Sequence, residues 1–438
     1  MALKRELGLF ELTLYAVGMI VGAGIYALIG KVCGLAGNGV WLSFLLSSFL
    51  AIFTGLSYAE LASIFTKDSA EFDYVRNSVQ KKFFAYLVAW FMLGSLLISA
   101  TTVALGFGGY LSALLNLGTP VIFAALSIIL FTLVNFLGIK LSAKVNDVST
   151  VLEVAGLLLL ILGVLALAVT SSPHVREVDY FDFSFSGVIS GAILAFFAYI
   201  GFGSVAKMGE EVKEPEKTVP RAILLSILIT TLLYIGVALA SITVASPQEL
   251  YASREPAALV AERIHPGLRG ALSVIALFST GNTILLILIS SSRMLYGLAS
   301  QHVFPKFLSR INPLTSTPHY AVFLSGAIAL GLLVYGDIRT VAEVTNLWIF
   351  ICYFFVNLSV ILLRYRKPFR KGYFRMPLNI GKFPVPAALG MIASLLMIFE
   401  TLRGKLSLHE PVVYLTLMLF CLTCAFYLLQ RVRNLRMD

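Results

Sequence analysis

Along the 438 residues, apolar and polar positions come in long blocks rather than with the period of a strand or a one-sided helix. A membrane-crossing helix needs about 20 consecutive apolar residues. By that measure twelve stretches qualify, at about 10–31, 40–64, 83–112, 120–139, 147–170, 187–207, 222–245, 267–291, 319–335, 343–363, 384–402 and 411–430. The pattern predicts an all-α polytopic membrane protein with 12 transmembrane helices. The third stretch exceeds the bilayer thickness and is expected to tilt. Most connections are short and polar. The segment Pro247–Pro266 is expected to fold as short helices over the outer vestibule.

Two stretches break this regularity. Gly201 and Gly203 interrupt the sixth, and Gly22 and Gly24 fall inside the first. Glycine weakens a helix by about 1 kcal/mol relative to alanine, so close pairs invite the backbone to unwind. Unwound backbone at membrane depth is tolerated only where it borders a protein-enclosed cavity. Broken spans at corresponding places in two halves are the sequence pointer to a secondary transporter's binding site. Such a break carries its own chemistry. A restarting helix presents free N–H groups suited to a carboxylate, and the helix that has just ended presents free carbonyls suited to an ammonium. A zwitterionic amino acid needs both.

Composition narrows the function classes. The chain is 58% hydrophobic and 13% charged, against about one-quarter charged in soluble domains. Its net charge of +10 does not read as a nucleic-acid surface. Roughly 25 of the 33 Lys and Arg fall on the amino-terminal side of the membrane, as the positive-inside rule expects, so both termini are expected in the cytoplasm. The cysteines Cys33, Cys352, Cys421 and Cys424 lie in or beside spans, and Cys421-x-x-Cys424 reads as small apolar filling. The first span is too long for a cleaved leader and is expected to stay. No phosphate-binding G-x-x-x-x-G-K-(S/T) motif occurs, so ATP-driven pumping by this chain is not expected. The histidines His174, His265, His302, His319 and His409 map to loops or span ends. Without H-E-x-x-H or a Ser/His arrangement, an intramembrane enzyme is the weaker reading, and without a repeated filter so is a channel. No metal or cofactor is expected.

The broken stretches also have a recognisable wording. Ile20 through Tyr26, and Phe196 through Ile223 (FFAYIGF followed by EEVKEPEKTVPRAI), resemble the amino acid–polyamine–organocation superfamily of permeases. The resemblance runs along nearly the whole chain. It implies two inverted five-helix repeats, about 1–170 and 187–363, with helices 1 and 6 broken. A basic cytoplasmic loop at 364–383 and two further helices in 384–438 complete that plan. It also implies that the N–H groups of Ala23 and Gly24, with Ile25 behind them and Gly22 allowing close approach, hold a substrate carboxylate. The carbonyls of Ile20, Phe197 and Ile200 would hold the ammonium, with Ala198 and Gly201 completing the second break. The ring of Phe197 resembles the family's aromatic gate.

Departures from the family wording shape the expected substrate and coupling. Where many relatives place an acidic residue, this chain has Gly203, which removes a partner for a cationic side chain and favours neutral amino acids. Thr66, Ser69 and Ala70 replace a proline and paired glycines after Tyr58-Ala59-Glu60-Leu61, implying a differently shaped first cytoplasmic loop. Glu60 is expected to pair with a loop Arg or Lys, and Glu210-Glu211 to Lys217 to be a charged clamping loop. In the third span, Ser99, Thr101 or Thr102 is expected to face substrate. Glu153 sits about nine residues inside Lys144, hence ~13 Å deep, where relatives often carry lysine. It can carry a proton or help to bind sodium. The resulting expectation is a proton-coupled symporter of neutral amino acids, with an exchanger or a cationic amino acid or polyamine transporter as alternatives. The loop from Asn116 to Pro120 has no cysteine, so no disulfide-linked partner subunit is expected.

Overall fold

A computed structural model describes residues 7–65, 70–137, 139–208, 212–313, 315, 317–335, 338–366, 373–403 and 410–435. The chain is a bundle of helices. In order they are α1 (Leu9–Ile20), α2 (Ala23–Tyr26), α3 (Ile29–Ala36), α4 (Val40–Ile64), α5 (Ala70–Val79), α6 (Lys82–Leu114), α7 (Pro120–Leu137), α8 (Ile139–Val169) and α9 (Phe185–Ala195). There follow α10 (Phe202–Val205), α11 (Pro215–Val244), α12 (Pro247–Ala252), α13 (Pro256–Ile264), α14 (Leu268–Ser300), α15 (His319–Leu332), α16 (Ile338–Arg366), α17 (Val385–Leu402) and α18 (Pro411–Leu435). Ten helical segments among the described residues are long and apolar enough to cross a membrane. The ninth and twelfth expected spans correspond to two shorter apolar helices, His319–Leu332 and Val412–Leu428.

Side-chain chemistry sets several boundaries. Gly8 N–H donates to the Glu11 carboxylate at 3.0 Å, holding the first turn of α1. Ser184 accepts from Gly187 N at 3.0 Å to cap α9, and Pro215, Pro247 and Pro256 supply helix-compatible first turns. Several helices run past the expected spans. α8 starts at Ile139, α11 at Pro215, and α14 continues to Ser300. Hydropathy stops at the first charges, whereas the backbone ladder goes on into the polar zone. The segment Pro247–Pro266 does fold as the two short helices α12 and α13. The basic loop holds a small hairpin, Asn379–Ile380 paired with Phe383–Pro384, which the apolar pattern does not signal.

Burial separates the inside of the bundle from its rim. In the most apolar windows of Phe185–Val205, Leu268–Ser300 and Lys82–Leu114, 83%, 78% and 72% of residues are buried, against 28% for Pro120–Leu137, Asn146–Val169 and Val385–Leu402. The rim helices expose Leu126, Leu130, Leu162 and Leu165, which suits contact with lipid tails. α11 packs along α4, α6 lies between α14 and α16, and α1 rests against α11, α8 and α14. The broken segments are therefore enclosed by intact helices.

Candidate functional site

Both glycine-marked stretches are interrupted where the sequence places the breaks. α1 ends at Ile20, Val21 and Gly22 form a bend, and α2 restarts at Ala23 for four residues before α3 begins at Ile29. The first span is thus broken twice. In the sixth, α9 gives way to a 3-10 turn over Phe196–Tyr199, Ile200 is extended at φ −64°, ψ 130°, and Gly201 takes φ +138°. A side chain rarely adopts that φ, so the break needs glycine. α10 then runs from Phe202 to Val205.

The breaks border one small cavity with about 30 Å³ open to a water-sized sphere, enough for about two waters. Among the expected site residues, Ile20, Gly22, Gly24, Phe197, Ile200 and Gly201 line it. Ile25 and Ala198 are buried behind the wall, and Ala23 contributes the backbone of the α2 start. Phe197 is buried and faces the cavity rather than lipid. Among the described residues, no charged side chain lines it. Apolar contributions come from Met19, Leu96, Val103 and Ile287, and hydroxyls from Ser99, Ser204 and Thr283.

The structure separates the three candidates of the third span. Ser99 lines the cavity with a buried hydroxyl that has no partner. Thr101 instead donates to Ala329 O at 2.9 Å, tying α6 to α15. Thr102 turns back onto Ile98 O at 3.2 Å.

Thr283 was visible in the sequence only as part of a polar run in an apolar span. It closes against Gly22, where an added β-carbon would lie 1.9 Å from Thr283 Oγ1. Gly24 meets a different wall. A β-carbon there would lie 2.2 Å from Ala198 Cα, so the two broken segments touch backbone to backbone. Tyr234 on α11, which sequence reasoning missed, joins them from outside. Its hydroxyl lies 2.7 Å from Ile20 O and 2.9 Å from Ala198 O, although it can donate to one at a time. A tyrosine in mid-span was the available signal, since a buried phenol usually finds an acceptor.

Glu153 does not line the cavity. It is fully buried on α8, with Oε1 3.4 Å from Asn282 Nδ2 and Oε2 unpartnered. Asn282 also donates to Asn146 Oδ1 at 3.1 Å, while its own Oδ1 and the nearby Ser279 hydroxyl lack partners. Tyr26 of α2 donates to the Glu153 backbone carbonyl at 2.7 Å. No ion pair reaches this carboxyl among the described residues. The result is an under-satisfied polar cluster behind the first break, linked to it through Tyr26.

Glu60, by contrast, is paired as expected. Arg364 Nε donates to its Oε1 at 2.7 Å, a second guanidinium nitrogen reaches Oε2, and Met376 N–H donates to Oε2 at 2.9 Å. Residues 209–211 of the charged loop, including Glu210 and Glu211, lie outside the described residues, as does His409. The adjoining Val212 bridges Leu7, and Lys213 N donates to Leu7 O at 2.9 Å, tying the residue before α1 to the stretch that follows the sixth segment.

Residues 7–424 match the model of a family described as amino acid permease. The chain is 29% identical over 400 residues to a branched-chain amino acid permease of Bacillus subtilis, covering 86% of this chain and 84% of that protein. It is 27% identical over 399 residues to a methylthioribose transporter of the same organism, covering 86% and 85%. It is 28% identical over 390 residues to cationic amino acid transporter 4 of Mus musculus, covering 84% of this chain and 61% of that one.

Proposed function

From the premise that this chain belongs to the amino acid permease family, we propose that it is a secondary active transporter that works by alternating access. It is a multi-pass membrane transport protein and not an enzyme. On our reading it carries neutral amino acids of small or medium size across the cell membrane, in symport with protons. The single observation that carries this reading is the cavity formed at two helix breaks and lined, among the described residues, by apolar and hydroxyl side chains and glycines alone.

The first-turn N–H groups of Ala23 and Gly24 have no acceptor within their own helix and receive the substrate carboxylate. The carbonyls of Ile20, Phe197 and Ile200 receive the ammonium. Ile20 O has a second lone pair beside its bond from Tyr234. Phe197 covers the bound molecule, and its side chain lies among Met19, Leu96, Val103 and Ile287. A lysine or arginine substrate would leave its charge in this cavity without a carboxylate, at a cost of several kcal/mol. The relatives named for branched-chain substrates fit such a wall better than the one named for cationic substrates.

Glu153 is the coupling group on this reading. Its unpartnered oxygen and the free amide oxygen of Asn282 leave room to accept and release a proton. A sodium ion at the same oxygens, or obligatory exchange without any ion, are the alternatives. The two five-helix repeats, 1–170 and 187–363, rock against each other, with both termini cytoplasmic. Uptake of radiolabelled leucine into proteoliposomes tests the assignment. Free amino acids compete, whereas amides and decarboxylated amines compete poorly. Equal competition by a polyamine would refute it in favour of an amine carrier.

A further inference from the structure

The inner piece of the sixth segment carries a buried ion pair that substrate binding does not use. Lys207 Nζ lies 3.3 Å from Glu71 Oε1, with side chains 9% and 1% exposed. Tyr58 donates to the same oxygen at 3.1 Å, while Glu71 Oε2 and the Tyr74 hydroxyl have no partner. Rings close around the pair. Tyr58 meets Phe202 and Tyr353 edge-on at 5.6 Å each.

A buried, partly satisfied ion pair is a poor way to stabilise a fold, since well-packed apolar residues of similar size do as well or better. Its position suggests another use. Glu71 belongs to α5, and Lys207 ends the piece whose other end, at Gly201 and Ser204, lines the cavity. The six residue steps from Gly201 to Lys207 span roughly 9 Å at helical rise. The Leu7–Val212 bridge joins this piece to the start of α1, so both inner halves are tied to each other, and this pair ties them to α5.

We propose that Glu71–Lys207 is the inner latch of the transport cycle. When closed, it clamps the inner piece of the sixth segment to α5 beneath the cavity. When it separates, that piece and the inner end of α1 swing away and open the cavity to the cytoplasm. The choice of charges has a physical reason. Separated charges regain hydration, whereas separated apolar side chains would be left facing water. An ion pair therefore keeps the closed and open states close in free energy. The latch rests on the alternating-access reading above.

Cys352 is a native reporter. It is fully buried, 3.6 Å from Val88 O, and adjoins Tyr353, whose ring packs on the Tyr58 that bonds Glu71. In a Cys33→Ala/Cys421→Ala/Cys424→Ala background, the full chain in liposomes without substrate is treated with a maleimide and labelling of Cys352 is timed. Glu71→Gln and Lys207→Met should each speed labelling roughly ten-fold or more, because one unpaired charge favours the hydrated open state. The apolar double variant Glu71→Leu/Lys207→Met should instead slow labelling and leucine exchange, because opening now exposes apolar surface. Labelling at the unsubstituted rate in these variants overturns the proposal. If the single variants fail to fold, the double variant, which leaves no unpaired charge, decides alone by the same criterion. The labelling needs no substrate, so a wrong substrate assignment would appear in leucine uptake and leave this result untouched.

Discussion

Two glycines separated by a single residue should respond to the same substitution in different ways. In Gly22→Ala the new β-carbon would lie 1.9 Å from Thr283 Oγ1, 2.7 Å from its Cβ and 2.8 Å from its Cγ2. Real β-carbons do not approach so closely, so α2 and α14 must part or Thr283 must leave its bond to Ser279 O at 3.0 Å. Overpacking of this kind costs about 1–3 kcal/mol, or roughly 5- to 150-fold in leucine affinity if the strain falls on the occupied cavity. All three offending atoms belong to the Thr283 side chain. Thr283→Gly should therefore restore most of the loss, leaving about 1 kcal/mol for glycine in a helix interior.

In Gly24→Ala the nearest atom is Ala198 Cα at 2.2 Å, followed by Ala198 Cβ at 2.6 Å and N at 3.0 Å. Ala198→Gly removes only the second of these, so no rescue is expected. Crowding at Gly24 acts on the seam between the two broken segments before it acts on a carboxylate. A Gly24 variant alone therefore cannot tell a binding role from a packing one. The assay is a double-mutant cycle for each pair, with leucine affinity and thermal unfolding as readouts. Additivity within about 0.5 kcal/mol for Gly22 with Thr283 would refute the argument. So would rescue of Gly24→Ala by Ala198→Gly.

Other outcomes follow from single groups. Glu153→Gln should keep leucine exchange but abolish its acceleration by an inward proton gradient, measured in sodium-free proteoliposomes; an unchanged response rules out the coupling role. Ser99→Ala should alter competition among substrates with little change in thermal stability, whereas Thr101→Ala should lower stability through the lost tie to Ala329 O and leave the substrate ranking intact. Glu60→Gln should destabilise by about 3–5 kcal/mol, because Arg364 then keeps its buried charge without an ionic partner, visible as a lower unfolding temperature. In the segment between α11 and α13, the backbone N–H of Ser246, and next its hydroxyl, hold the Glu249 carboxyl below the usual carboxylate range. Its stabilising contribution is therefore present above the unfolded value and lost as pH falls through the folded one. Hydrogen exchange in Pro247–Ala252 should rise in acid, and Glu249→Gln should remove that rise.

Much of the architecture could be read from the chain because lipid imposes a simple rule on it. Buried and lipid-facing helices are apolar alike, so the apolar runs marked where helices cross. For the same reason they did not say which face of a helix turns inward. Hydropathy placed α7 and α14 on one footing, although one lies on the rim and the other inside. Clustered glycines alone did not mark the breaks, since Gly106, Gly108 and Gly109 sit in the unbroken α6; the pairs of the first and sixth spans were legible because they stand at corresponding places in the two halves. The second break of the first segment, at Ala27–Leu28, carries no glycine and was not visible. Neither was the tie from Tyr234, which joins residues 214 and 36 positions apart. The mid-span phenol signals that an acceptor is needed, but which carbonyls supply it is decided by the packing.

The polar run of α14 shows how the missing part could have been approached. Ser279, Asn282 and Thr283 fall three and four residues apart, so they share one face of the helix. On a helix surrounded by apolar neighbours, a polar face must meet something polar or a cavity. Here it meets both. Asn282 turns to Glu153, while the next residue, Thr283, closes on Gly22 at the cavity wall. The short α2 spans the same two places, with Gly24 on the cavity and Tyr26 bonded to the Glu153 backbone. On the proton-coupled reading, this double connection is what lets one event sense the other. A substrate that shifts α2 or Thr283 alters the bonds around Glu153, and a change of charge at Glu153 alters the seat of α2. Linkage is reciprocal. Acid should therefore tighten leucine binding in the unsubstituted protein by the same factor by which saturating leucine favours proton uptake, and in Glu153→Gln both effects should vanish together.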